Sequence, residues 1–200
     1  METPTEQTAF VTFEPFSPNI IKLLGEQRDL KSKLHLFDII LNDHRAEVVN
    51  ETDKAKTVVF PGHKGSQHKT WQGTKEMAQD INNCGESVAF LSELKDGTSA
   101  DAVVLFKGKP VVADFKYCVT TKSNTLAGEL ASGFKQANTV VLKLENMDAG
   151  LFKDAVNYLI RNNIGYGNIK LINKNGKKID IEYLDIRSGK YQKMIKGFLK

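Results

Sequence analysis

The stretch that most constrains this chain is residues 98–117, TSADAVVLFKGKPVVADFKY. Asp101 to Phe106 and Pro110 to Tyr117 are rich in β-branched and aromatic residues and flank Lys107-Gly108-Lys109, which predicts a two-stranded hairpin. Both strands are mostly apolar and belong in a core, yet Asp101 opens the first, and Asp114 and Lys116 stand near the end of the second. Alternate strand residues share a face, so Asp114 and Lys116 point one way and Phe115 and Tyr117 the other. Antiparallel pairing about Gly108 brings Asp101 beside them. Two carboxylates and an amine then meet at one edge of a buried sheet.

Charges so placed are costly unless compensated. A divalent cation compensates two carboxylates, because hard oxygens hold Mg²⁺. The lysine beside it can orient a water or neutralise charge growing on a phosphate. The alternative is a salt-bridged strand end, since Asp-x-Lys is a common surface pattern.

Two hundred residues of which 40% are hydrophobic suit one compact domain with an N-terminal extension. No apolar run approaches the roughly 20 residues of a membrane helix. The opening METPTEQTAF has an acidic start and no apolar core, so no targeting segment is expected. Cys84 and Cys118 form neither a CxxC pair nor a disulfide framework, and reduced thiols are expected. The net charge is +4, with lysines concentrated from residue 167 onward. Such a surface fits a polyanionic partner, and equally a merely solvated face.

Along the chain, residues 8–16 read as an edge strand, and Ser17-Pro18 opens a short helix. LHLFDIILND reads as strand or helix, and AEVVNE and KTVVFPG as strands. The glycine, lysine and histidine of residues 62–73 mark a loop. Its His63 and His68 match no metal pair on a helix and are candidates for the substrate path or for solvent. Trp71 either stacks on a base or plugs the core. Thr70 to Asn83 reads as an amphipathic helix with Glu76 at the border of its buried face. A strand over 86–91 leads into the hairpin. After Tyr117 come a polar crossover, a helix over 125–138 and a strand over 139–144, a βαβ connection. A helix over 148–163 precedes a hairpin of 169–172 with 178–183. A last helix, Ser188 to Leu199, sets Lys190, Lys193, Lys196 and Lys200 opposite Tyr191, Met194, Ile195 and Phe198.

The order of a helix bearing Glu76, a strand, a hairpin with Asp101 and Asp114-Phe115-Lys116, a helix ending in Gln136 and a further strand resembles the PD-(D/E)xK nuclease superfamily over about residues 70–145. The signature here is Asp101, twelve residues, then Asp114-x-Lys116. Ala100 stands where that pattern has proline, and Asp114 where it commonly has glutamate. Within the superfamily, GFKQANTVVLKL and KLINKNGKKIDIEY look like the C-terminal toxin domains of contact-dependent growth inhibition proteins. Those domains are metal-dependent nucleases, many of which cut tRNA. Related domains occur in polymorphic toxins and on phage head-morphogenesis proteins.

The resemblance implies an α/β fold with a mixed central sheet flanked by helices. The restriction-endonuclease-like core would span residues 62–200, with an extension or small α+β subdomain over 1–61. It implies a catalytic group of Glu76, Asp101, Asp114, Lys116 and Gln136. Asp101, Asp114 and Glu76 would hold a divalent metal, Mg²⁺ first and Mn²⁺ or Zn²⁺ as alternatives, and His68, Lys69, Lys122 and Lys135 would contact nucleic acid. The activity so implied is that of an RNase acting on tRNA as a toxin, working in the cytoplasm of a cell other than its producer and opposed by an immunity protein. The alternatives are a DNA endonuclease of phage or mobile-element origin and a non-catalytic nucleic-acid-binding module.

Overall fold

The computed structural model describes residues 12–63, 71–94, 100–146 and 148–199. The hairpin forms as its composition dictates. Strand β4 (Ala102–Phe106) pairs antiparallel with β5 (Lys109–Cys118), from Ala102 opposite Ala113 to Phe106 opposite Lys109. The two-residue turn between them has positive φ at both Lys107 (49°) and Gly108 (74°), the conformation whose twist matches a hairpin's strands. Because β5 outruns β4, residues 114–118 have no partner on the β4 side among the described strands.

This hairpin is the middle of an eight-stranded mixed sheet in sequential order. On one side lie β3 (Val88–Phe90), then β2 (Lys56–Val59) and β1 (Glu47–Glu51). On the other lie β6 (Thr139–Leu144), β7 (Asn168–Ile172) and β8 (Lys178–Ile181). The pairs β2–β3, β5–β6 and β6–β7 are parallel and the other four antiparallel. The N-terminal segment expected as an extension or subdomain thus supplies two strands to the same sheet.

Helices cover both faces. Helix α3 (Trp71–Asn83) packs Met77, Ala78 and Ile81 on Phe90, Val104, Ala113 and Phe115. The opposite face receives α1 (Ser17–Glu26) and α2 (Leu30–Leu41) around Val103 and Val112. It also receives α4 (Ser123–Gln136) and α5 (Ala149–Arg161) around Val140 and Leu142. LHLFDIILND resolves as helix, because Leu36, Phe37, Ile40 and Leu41 bury one stripe and the Asp29 side chain accepts the Ser32 N–H at 2.8 Å to cap it.

The C-terminus departs from expectation. The predicted strand ends at Ile181, and a capping box between Glu182 and Asp185 starts α6 (Tyr183–Arg187). Gly189, at φ +74°, separates it from α7 (Tyr191–Phe198), so the predicted last helix forms as α7 and α6 is an additional short helix before it. Among the described residues no helix is long and apolar enough to cross a membrane.

Candidate active site

The sheet brings Asp101, Asp114 and Lys116 together at the level where β4 begins and β5 continues alone. Asp101 is tied down by its own backbone, its N–H donating to the Ala113 carbonyl at 3.1 Å. Its side-chain Oδ2 accepts the Phe115 N–H at 2.8 Å, which caps the first backbone donor that β4 leaves uncovered. Asp114 is 1% exposed and Lys116 reaches it with Nζ 2.9 Å from Oδ2. That ammonium, at hydrogen-bond distance, is the one charged partner of the buried Oδ2 among the described ion pairs.

The electrostatics follow from this crowding. Burial, and then the Asp101 carboxylate, push the Asp114 pKa up to about 7 against the pull of Lys116. Burial likewise raises Asp101, outweighing the Phe115 hydrogen bond. Burial works against the Lys116 ammonium, but Asp114 and Asp101 outweigh it and hold its pKa above the ordinary lysine value. The result is a carboxyl pair that resists double ionisation beside a fixed positive charge, the pattern of a group awaiting a further cation.

A glycine makes room for it. Gly133, in the last turn of α4, lies so close that an added Cβ would stand 2.7 Å from Val140 Cγ2 and 2.8 Å from Asp114 Oδ2. Sequence reasoning misses this residue. Its one signal is an isolated glycine inside an amphipathic helix, which usually has a packing reason.

The other expected site residues lie elsewhere. Glu76 is on α3, which packs against the face carrying Phe115 and Tyr117, the face opposite to the one that strand alternation gives Asp114. There it accepts from Gln72 Nε2 at 3.3 Å and lines a cleft of about 210 Å³ with Val49, Asn50 and Thr57. Among the described residues no three His, Cys, Asp or Glu side chains gather to hold a metal. Gln136 ends α4 one turn past Gly133, half-buried. Lys122 and Lys135 are exposed at the two ends of that helix, and His68 and Lys69 lie outside the described residues. His63 is buried rather than solvated, with Nδ1 2.9 Å from the Leu91 carbonyl and its ring against Trp71 and Phe90. Trp71 plugs this aromatic cluster.

Glu93, just past the strand that leads into the hairpin, stands 3.8 Å from His63 and near enough to help raise Asp101. The basic C-terminal segment is also less available than its composition suggests. Lys170 is fully buried between Glu86 (3.0 Å) and Asp180 (2.8 Å), and Lys178 pairs with Glu86 at 2.6 Å. Cys118 is no nucleophile at neutral pH, since burial pushes its thiol up to about 12.

Beside the carboxylates a cleft of about 330 Å³ opens along the uncovered edge of β5. Its wall runs from Phe115 to Thr120, closed by Thr74 of α3 on one side and by Thr125 and Glu129 of α4 on the other. Lys116 belongs to this wall, so the charged group opens directly onto it.

No protein-family profile matches the chain, and no curated protein matches it. Among solved structures, the chain is similar to the CdiA-CT/CdiI toxin and immunity complex from Burkholderia pseudomallei. The two share 19% sequence identity with a TM-score of 0.41, over 57% of this chain and 85% of that chain. A likeness at that score is too loose to carry a residue from one chain to the other.

Proposed function

We propose that this chain is a metal-dependent phosphodiester hydrolase acting on RNA, with tRNA as the first substrate to test. The observation that carries the reading is the buried pair Asp101 and Asp114 with Lys116 at the mouth of an open cleft. Two adjacent carboxylates, one of them 1% exposed with a single ammonium as counter-charge, fit a hard divalent cation. Mg²⁺ in particular is commonly held by one or two carboxylates plus waters and substrate phosphates, without a full protein cage. Asp101 and Asp114 would hold the ion, which supplies Lewis-acid polarisation of the phosphoryl oxygen and lowers the pKa of a bound water.

The chain's own groups do the rest. The Phe115 N–H locks the Asp101 side chain in place. The Lys116 ammonium, anchored by Asp114 and open to the cleft, neutralises charge that develops on the phosphate, a preorganised electrostatic contribution. Gly133 keeps α4 close without filling the space beside Asp114. Lys122 and Lys135 supply the long-range attraction that a polyanion feels.

The choice of RNA over DNA, and the setting of a toxin delivered to another cell and held in check by an immunity protein, rest on the sequence resemblance of GFKQANTVVLKL and KLINKNGKKIDIEY. The test is incubation of purified protein with total tRNA and with plasmid DNA, with and without Mg²⁺, Mn²⁺ and Zn²⁺. Metal-dependent cleavage of tRNA that disappears in Lys116→Ala is expected. Absence of product from either substrate with every metal would overturn the reading.

A further inference from the structure

The cleft along the β5 edge holds, besides the Lys116 ammonium, a carboxylate that a phosphate does not call for. Among its described lining residues Lys116 is the one cation, and that charge is already engaged by Asp114 at 2.9 Å. The rest of the lining includes one carboxylate and three threonine hydroxyls, which donate as well as accept. Glu129 is exposed on α4 and close enough to influence both Lys116 and Cys118. Thr74, Thr120 and Thr125 bring hydroxyl oxygens to the same space. The β5 backbone beyond Ala113, uncovered by β4, presents peptide N–H and C=O groups along the same edge. Val119, 64% exposed, gives an apolar shelf, with its carbonyl held by Asn146 Nδ2 at 2.9 Å.

Beside the Lys116 ammonium that faces the phosphate, the Glu129 carboxylate of the same cleft suits N–H donors on a flat ring. We propose that this cleft is a base-recognition subsite for an unpaired nucleotide next to the scissile phosphate, selecting bases that carry an exocyclic amino group over uracil. Glu129 accepts from the amino group, as carboxylates do from cytosine N4, and Val119 packs under the ring. In a duplex those amino groups are spent on pairing, so the subsite reads single-stranded segments and loops, where bases can be splayed out. This inference rests on the hydrolase reading for its place beside the scissile bond, though its chemistry is independent of the metal.

Binding is the decisive measurement, because it does not need turnover. Fluorescein-labelled pentacytidylate and pentauridylate differ at each ring chiefly by an amino group in place of a carbonyl. Their affinities are measured at pH 7.5 for Asp114→Asn, and again with Glu129→Gln added. Cytidylate should bind about tenfold tighter than uridylate to Asp114→Asn, the scale of one good base contact. With Glu129→Gln the ratio should fall below about threefold, because a carboxamide donates to uracil O4 as readily as it accepts from cytosine N4. Glu129 is exposed, and an unchanged melting temperature verifies that the double variant is folded. Equal affinities in Asp114→Asn, or a ratio that survives Glu129→Gln, overturns the inference. A cytidylate preference lost with Glu129→Gln, in a protein that cleaves nothing with any metal, sustains the subsite and overturns the hydrolase reading.

Discussion

A Cβ on Gly133 would stand 2.8 Å from Asp114 Oδ2, so the helix behind the carboxylate pair can carry no side chain at that position. This single contact couples the packing of α4 to the electrostatics of the site.

Replacing Gly133 by alanine should therefore act against helix propensity. In an exposed helix interior Gly→Ala gains about 1 kcal/mol, but here the methyl meets Val140 and Asp114 at overlapping distances. Overpacking of that kind costs about 1–3 kcal/mol. Gly128 lies on the exposed side of the same helix, where an added methyl would meet nothing within 4 Å. Thermal unfolding of both variants should show Gly128→Ala more stable than the parent and Gly133→Ala less stable, with any nuclease activity of Gly133→Ala reduced at least about tenfold.

The pair should also make the metal-free protein less stable as pH rises. Asp114 has a folded pKa of about 7, above the ordinary aspartate value of 3.8. Below about pH 4 it is protonated in both states and contributes no pH dependence. Between about pH 4 and 7 the unfolded chain has released the proton that the folded chain still holds, so stability falls as pH rises. Above pH 7 the cost is complete. Asp114→Asn cannot ionise, and Lys116 keeps Asp101 as a counter-charge. The variant should melt near the parent at pH 4 and above it at pH 8, by about 2–4 °C for each kcal/mol relieved. Melting curves in EDTA at the two pH values check this, and a variant that melts below the parent at pH 8 contradicts it. Mg²⁺ at pH 8 should raise the parent and leave the variant unmoved.

The position of Glu76 gives a prediction about catalysis. It lies on the helix that packs on the Tyr117 face and lines a different cleft from the one that Lys116 opens onto. Glu76→Gln should keep kcat/KM within about threefold of the parent, whereas Lys116→Ala should lose at least about 10²-fold, the scale of removing one preorganised electrostatic group. Rates measured on one tRNA substrate decide it. A loss in Glu76→Gln equal to that in Lys116→Ala would show that the helix contributes to the reaction after all.

The hairpin, its register and the meeting of Asp101 with Asp114 and Lys116 are legible in the sequence, because strand alternation and a Gly-centred turn leave little freedom. The side of the sheet on which α3 packs is not. An amphipathic pattern says which face of a helix is buried but not which face of a sheet buries it, so the pattern alone does not place Glu76 relative to Asp114. Gly133 escapes for a related reason, since its closeness to Asp114 spans elements that no local periodicity connects. The buried histidine and lysines are hidden because composition counts charges without their partners. His63 sits under Trp71, and Lys170 is enclosed by Glu86 and Asp180.

Lys170 supplies the last prediction. It has no exposed surface and is the common partner of Glu86 and Asp180, and the latter's other oxygen accepts the Lys107 N–H at 2.7 Å. Removing the lysine strands two partly buried carboxylates with only Lys178 and one amide to answer them. Breaking a buried ion pair from one side costs about 3–5 kcal/mol, so Lys170→Met should unfold far earlier in urea than the parent. Lys190 pairs with Asp185 at 3.3 Å with its side chain 70% exposed, and exposed pairs are worth about 0–1 kcal/mol. Lys190→Met should therefore unfold close to the parent. If the basic C-terminal segment served the polyanion rather than the fold, the order would reverse, with Lys170→Met neutral for stability and weakened in RNA binding.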